Sequence, residues 1–420
     1  MSLSRRRMMQ VGLASAGAPV LAKALGTSAF AQDIGPASGK LGVIGGRDEK
    51  VLFPGPGLPG GGQLEIRLVQ SIYTGDADEL EVAQRARPYD TDSWFTEWMR
   101  VGEKNEKIAD ALAAQGLRVS AADAYRRAQD FYGNAVWPLP ESDRRMLPAY
   151  RRMREMFDKT YQFTRAPFER VKIKWEGKTL DGYFRKPGGP AGKRFPVVIT
   201  YQGADTFAEN TIQGGAGSYV ARGMAYLAVD FPGQGAALRL QDLHMPPETD
   251  RILKAMIDYL ETRPDVDAKR IGVQAISMGG WGAPRAASGE DRITAVWTAA
   301  GSYDLGSDLF DYYPPIQERV RWIIGARDLA DARRKLRDYT MDGRAQKIEC
   351  ALLIGYGGDD RIMDPQGALR LYNAAVKAKR NMLAGLGHPQ HNVRAGGPRD
   401  ERSATLQDWA MKQLRADGET

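Results

Sequence analysis

Cysteine and histidine are scarce in this 420-residue chain. The one cysteine, Cys350, has no partner for an internal disulfide, and a single thiol excludes Cys-based metal sites. No run of roughly 18 apolar residues exists, so no segment reads as a membrane-spanning helix. Acidic residues are missing before Asp33, where Arg5, Arg6, Arg7 and Lys23 contribute four of the formal charge of +7 and leave a mild, dispersed +3. Arg144, Arg145, Arg151, Arg152 and Arg154 cluster on one expected helix. No interleaved aromatics or DNA-binding motif accompany them, so they read as a solvated face and not as a nucleic-acid surface. What remains, 43% apolar and 26% charged, is the composition of a globular chain with ample core.

The N-terminus reads as an export signal. Ser4-Arg5-Arg6-Arg7-Met8-Met9-Gln10 carries a twin arginine, a mildly apolar stretch runs from Val11 to Leu25, and Ala29-Phe30-Ala31 is an A-x-A cleavage site. The expectation is a periplasmic or secreted protein, with an ordinary secretory leader as the alternative. Residues 32 to about 62 look irregular and include Phe53-Pro-Gly-Pro-Gly-Leu-Pro-Gly-Gly-Gly62. Gly42-Val-Ile-Gly-Gly46 resembles a nucleotide-binding loop but lacks the strand, helix and acidic partner that would make it one.

From about residue 80 to 165 the spacing predicts helices. Trp94, Trp98, Val101, Ile108 and Leu112 form one stripe, Gly116 stops it, and Ser120 is placed to cap a second helix with the stripe Ala121, Tyr125, Ala128, Tyr132. A third helix is expected from about Ser142 to Tyr161. The period then changes. Val171–Trp175 and Thr179–Arg185 read as a hairpin, and Phe195–Thr200, Met224–Asp230, the stretch into Ser277, Ala295–Thr298 and Ala351–Ile354 read as buried strands separated by helices. This alternation predicts a mostly parallel sheet with helices on both faces.

Ile271-Gly-Val-Gln-Ala-Ile-Ser277-Met-Gly-Gly-Trp281 is the most informative run. A β-prone segment enters a serine flanked by small residues, the pattern of a strand that turns sharply into a helix and lifts a hydroxyl toward a substrate carbonyl. The match is A-x-S-x-G, with Ala275 where glycine is usual. Downstream, a late strand ends in Tyr356-Gly-Gly-Asp359-Asp360, and then Gly385-Leu-Gly-His388-Pro-Gln-His391-Asn392 follows another strand. Serine, acid, histidine is the chain order that such hydrolases require. His388 comes first after its strand, in a glycine-bounded loop, and is expected to be the base, with His391 as a supporting residue. The loop Tyr201-Gln-Gly203-Ala204-Asp205 follows a central strand, so the N–H of Ala204, with that of Gly203 as the alternative, and that of Met278 are the expected oxyanion donors.

Trp94…Trp98, Ser120–Ala128, Asp230-Phe-Pro-Gly-Gln-Gly235, Ser277-Met-Gly-Gly280, Glu318…Trp322, Lys347–Ala351, Gly357-Gly-Asp-Asp360 and Gly387-His388…His391-Asn392 together resemble the α/β-hydrolases related to 2,6-dihydroxypseudooxynicotine hydrolase and the fermentation–respiration switch protein. The resemblance covers roughly residues 83 to 415. It implies an α/β-hydrolase fold with an N-terminal helical cap domain, often dimeric, and Ser277, Asp360 and His388 as nucleophile, acid and base. The chain is then expected to divide into a signal peptide (1–31), an irregular segment (32–80), the cap (81–168) and the catalytic domain (169–420). The expected substrate is a small carbonyl or ester compound, cleaved at an ester or at a carbon–carbon bond beside a ketone, with no metal or organic cofactor. Carbon–carbon cleavage needs a group that stabilises a carbanion, and Asp304, Asp308 and Asp311 could supply a carboxyl group. Asp308, Trp281 and His391 are accordingly expected near substrate, although loop caps or solvated charges account for the three aspartates as well. A binding protein on a hydrolase scaffold and a serine peptidase are the competing readings.

Overall fold

A computed structural model describes residues 76–87, 90–358, 360, 362–384 and 399–415. The signal segment, Asp359, His388 and His391 lie outside the described residues.

Four helices come first: α1 (Ala77–Arg85), α2 (Thr91–Ala114), α3 (Arg118–Val136) and α4 (Met146–Phe163). Asp90 caps α2 by accepting the Ser93 N–H at 2.8 Å, an arrangement that contributes about 1 kcal/mol. The helix ends in a Schellman turn, with Gly116 N–H on Ala113 O and Leu117 N–H on Leu112 O, and Gly116 takes the required positive φ of 75°. This tight reversal leaves only three residues between the helices. Helix α3 therefore starts at Arg118, and Ser120 lies inside it as an exposed residue instead of capping it. The buried stripe of α2 runs Trp94, Trp98, Val101, Asn105, Ala109, while Ile108 is 44% exposed. Sequence reading followed the larger apolar side chain. The helical face instead continues through a polar residue, because Asn105 donates to Asp78 at 2.9 Å and to Val101 O at 2.9 Å.

The sheet follows. Strands β1 (Glu169–Trp175) and β2 (Lys178–Arg185) form the expected antiparallel hairpin about Glu176 and Gly177. Next come β3 (Phe195–Tyr201), α5 (Ala208–Gly214), α6 (Ala216–Ala221), β4 (Ala225–Val229), α7 (Gly235–Gln241) and α8 (Thr249–Glu261). They are followed by β5 (Val266–Ile276), α9 (Gly279–Ala287), β6 (Ile293–Ala299), α10 (Gln317–Ile323), α11 (Leu329–Lys335), β7 (Ala351–Tyr356), α12 (Pro365–Ala374), β8 (Lys379–Ala384) and α13 (Arg399–Gln413). The order across the sheet is β1-β2-β4-β3-β5-β6-β7-β8, antiparallel at the first two pairings and parallel thereafter. Strand β1 alternates, with Val171 and Ile173 buried between exposed Lys172 and Lys174, as an edge strand covered on one face does. Strands β3 and β4 are buried at every position, as a central strand covered on both faces requires.

The helical layer is joined to this core through side chains. Tyr150 of α4 packs on Phe207 after β3, with ring centroids 5.3 Å apart, and Arg154 reaches Glu209 of α5 at 3.0 Å. Arg145 and Arg152 pair with Asp143 and Glu106. Three members of the arginine cluster thus serve packing within the protein. Cys350 stands just before β7, and burial pushes its thiol up to about 12, a state in which it is a poor nucleophile.

Candidate active site

Strand β5 delivers Ser277 to the sheet edge where the parallel strands end. The serine adopts φ +57°, a left-handed conformation that costs a non-glycine residue energy and that cores rarely tolerate. Neighbouring structure imposes it. Ser277 N–H donates to Ala299 O at 3.0 Å, and Gly280 N–H returns to Ser277 O at 2.7 Å. The two glycines after it are dictated by close approach. A Cβ on Gly279 would lie 2.3 Å from Tyr201 O, and one on Gly280 would lie 2.2 Å from Ala300 O. Ala275, where a glycine is usual, is accommodated at 2% exposure within β5. Met278 opens α9, so its N–H belongs to the first-turn donors that have no acceptor within the helix.

The loop after β3 lies against the serine. A Cβ built on Gly203 would sit 3.0 Å from Ser277 Cβ and 3.5 Å from its Oγ. Gln234, 1% exposed, donates its side-chain amide to Gln202 O at 2.7 Å and Gly203 O at 3.3 Å. The carbonyl and N–H of a trans peptide point in opposite directions, so anchoring Gly203 O turns the Ala204 N–H away from Gln234. Sequence reading missed Gln234. Its signal was a glutamine inside the glycine-rich turn Pro232-Gly-Gln-Gly235, a place where a long polar side chain has no turn-forming purpose. Asp230, four residues earlier, holds the starts of two helices by accepting the N–H groups of Ala208 (2.9 Å) and Ala236 (2.7 Å). Burial beside Glu209 pushes its carboxyl up to about 7 despite those bonds. Gln234→Ala is expected to lower kcat about tenfold to a hundredfold with little change in KM, because it loosens the loop of Ala204, the expected oxyanion donor, without deleting the N–H. Steady-state kinetics on an aryl ester measure this, and an unchanged kcat would detach Gln234 from the site.

Asp360 follows β7 and is 2% exposed. Its Oδ1 accepts the N–H groups of Ile362 at 2.9 Å and Met363 at 3.1 Å, and its carbonyl accepts the Tyr312 hydroxyl at 2.7 Å. Of the three expected triad members, Ser277 and Asp360 are described, at the C-terminal ends of the nearby parallel strands β5 and β7, which β6 separates.

The three aspartates after β6 are occupied. Asp308 is wholly buried, and its carboxylate accepts Ser302 Oγ at 2.9 Å, the N–H groups of Tyr303 and Asp304 at 2.8 and 3.0 Å, and Ser307 Oγ at 2.9 Å, besides an ion pair with Arg370. Its carbonyl takes the Asp364 N–H at 2.9 Å, which ties this turn to the loop of Asp360. Asp308, expected beside substrate, is thus engaged in holding the loop of Asp360. Asp304 accepts the Ser307 N–H, and Asp311 pairs with Arg333 at the surface. Trp281, also expected near substrate, is wholly buried behind the elbow and packs on Tyr339, centroid to centroid 5.4 Å. Among the described residues no group of three or more His, Cys, Asp or Glu side chains is placed to hold a metal ion.

A mostly parallel eight-stranded sheet, a strained serine at the β5–α9 turn and a buried aspartate after β7 define an α/β-hydrolase. The family profile described as "Esterase FrsA-like" matches residues 63–303, and the chain belongs to the FrsA-like esterases, a family of hydrolases. It is 28% identical over 330 residues to Hydrolase LUC6 of a Fusarium species, covering 68% of this chain and 78% of the relative. It is 32% identical over 256 residues to the α/β hydrolase psoB of Aspergillus fumigatus, covering 57% of each. The crystal structure of the 2,6-dihydroxy-pseudo-oxynicotine hydrolase superposes with a TM-score of 0.68 at 24% identity, over 84% of this chain and 96% of that one. This likeness includes the helical layer as well as the sheet, since it spans most of both chains.

Proposed function

We propose that this hydrolase works through an acyl-enzyme on Ser277, with His388 as base and Asp360 as the acid that orients it. The observation that carries the reading is the left-handed Ser277, held between the Ala299 carbonyl and the start of α9 with the Gly203 backbone against it. A strained residue of this kind persists only where the surrounding structure over-determines it, and such strain gathers at reactive groups. In the proposed sequence, His388 takes the hydroxyl proton as Ser277 attacks a carbonyl carbon. The N–H groups of Met278 and Ala204 receive the developing oxyanion, and fixed donors of this type contribute several kcal/mol each. His388 then returns the proton to the leaving group, and water releases the acyl group from the serine.

The substrate is proposed to be a small carbonyl compound. An ester would lose an alcohol, whereas a β-diketone would lose a carbon leaving group. The family description favours the ester. Asp308, the buried one of the three aspartates after β6, is taken up by Arg370, two hydroxyls and two N–H groups, which also supports the ester over carbon–carbon cleavage. Stopped-flow measurement with p-nitrophenyl acetate tests the mechanism. A p-nitrophenol burst stoichiometric with enzyme is expected, lost in His388→Gln and nearly retained in His391→Gln. A burst that survives in His388→Gln would remove the base from its assigned place.

We further propose export by the twin-arginine route, on the strength of Arg5, Arg6 and the Ala29-Phe30-Ala31 site. Replacing both Arg5 and Arg6 by Lys is expected to trap precursor in the cytoplasm, and an unchanged yield of exported protein would show an ordinary charged leader.

A further inference from the structure

Two arginines are buried where the helical layer meets the loop of Gly203. Arg239, on α7, is 6% exposed, and the side chain of Arg319, on α10, is 9% exposed. Neither guanidinium is satisfied. Nε and Nη2 of Arg239 and Nη1 of Arg319 have no hydrogen-bond partner among the described residues. Arg319 spends its Nη2 on the carbonyls of Trp137 and Leu139. The Arg239 guanidinium is enclosed by the rings of Phe207 (4.9 Å), Trp322 (5.3 Å) and Tyr150 (5.4 Å), and Trp322 lies 5.3 Å from Arg319 as well. One indole thus bridges the two cations.

Two buried carboxylates and one half-buried one stand nearby, and the two buried ones are engaged by other groups. Glu209 pairs with Arg154 at 3.0 Å and accepts the Tyr183 hydroxyl. Asp230 is committed to the N–H groups of Ala208 and Ala236, and burial drives it toward its neutral form. Asp205 faces the pair, 3.9 Å from Arg319 Nε. Two guanidinium groups thus lie buried at one seam without their full set of hydrogen bonds, and burial lowers the pKa of both, Arg319 to about 10. Leaving charged donors desolvated and unbonded costs free energy, and a protein retains such a cost where a ligand removes it.

The place matters as much as the charge. Asp205 is two residues past Gly203, at most about 7 Å of chain, and Gly203 abuts Ser277. Helix α7, which carries Arg239, starts directly after Gln234, the residue that anchors Gly203 O. Arg319 and Trp322 also line a cleft of about 280 Å³ with Trp137, Leu139 and Pro140. We propose that Arg239 and Arg319 form a subsite for an anionic oxygen of the substrate, a carboxylate or a stabilised enolate, on the far side of the oxyanion loop from Ser277. This selects acidic acyl compounds over neutral ones of the same shape. It rests on the assignment of Ser277 as the reacting group.

The test uses Ser277→Ala protein, so that binding is read without turnover and does not depend on whether the acyl-enzyme mechanism holds. Calorimetric titration compares 3-benzoylpropionate with its methyl ester. The acid is expected to bind about tenfold tighter or better, as charge-assisted hydrogen bonds allow. The preference is expected to vanish in Arg239→Met and to return in part in Arg239→Lys, with a melting temperature in Arg239→Met that is unchanged or raised because an unsatisfied buried charge is gone. A second arm titrates benzoylacetone below and above its enol pKa, and tighter binding only above it identifies the enolate as an acceptable anion. Equal affinity for acid and ester together with no gain for the enolate would overturn the subsite. So would an acid preference that persists in Arg239→Met and Arg319→Met, or a large fall in melting temperature in Arg239→Met with the preference intact, which would make the arginine a packing element.

Discussion

Ser277→Ala is expected to abolish turnover, with a loss of about a millionfold in kcat, while the protein folds normally. The size of the loss follows from the way the proposed triad works. Without the hydroxyl no acyl-enzyme forms, and the base has nothing to activate, so what is left is the modest contribution of binding and of the oxyanion donors. The fold survives because the strain at Ser277 belongs to its backbone. The φ of +57° is set by the Ala299 and Gly280 hydrogen bonds, which alanine retains. Circular dichroism and melting temperature control for folding, and ester hydrolysis gives the rate. Residual activity near one tenth of the wild-type value would remove Ser277 from the reaction.

Asp360→Asn is expected to lower kcat by about ten-thousandfold, whereas Asp359→Asn is expected to be mild. In the proposed site the carboxylate holds the imidazole in one tautomer and stabilises its charged form, and an amide does neither. The substitution keeps the local fold, because one oxygen of asparagine can still accept the N–H groups of Ile362 and Met363 as Asp360 Oδ1 does. The Tyr312 hydroxyl also grips the backbone carbonyl of this residue and is indifferent to the side chain. A severe Asp359→Asn with a mild Asp360→Asn would reverse the assignment.

The Ser277 turn was legible because its requirements are local. A strand, a serine and two glycines in ten residues specify the turn, and the close approaches at Gly279 and Gly280 explain why those positions carry no side chain. The sheet was legible for a similar reason, since wholly apolar runs such as Phe195–Thr200 admit few other readings. Ile108 and Ser120 misled because local preference lost to tertiary packing. The stripe of α2 continues through Asn105, and the Schellman turn at Gly116 starts α3 early. Gln234, Arg239 and Arg319 were missed for a different reason. Each acts across a long separation in sequence, Gln234 on a carbonyl 31 residues away and Arg319 on carbonyls 180 and 182 residues away. In the chain the two arginines are indistinguishable from surface polar residues, and Gln234 differs only by its place in a glycine-rich turn. Asp308 drew attention through its position after β6, and its buried carboxylate organises the turn that supports the loop of Asp360.

The most direct measurement for the central claim is the site of covalent labelling by a fluorophosphonate. The phosphorus is attacked only by a serine with an activated hydroxyl, so the label reports nucleophile, base and oxyanion donors at once. Mass spectrometry of the digested, labelled protein is expected to find one modified peptide, with the adduct on Ser277, and no adduct in Ser277→Ala or His388→Gln. An unlabelled protein, or an adduct on another serine that persists in Ser277→Ala, would contradict the account.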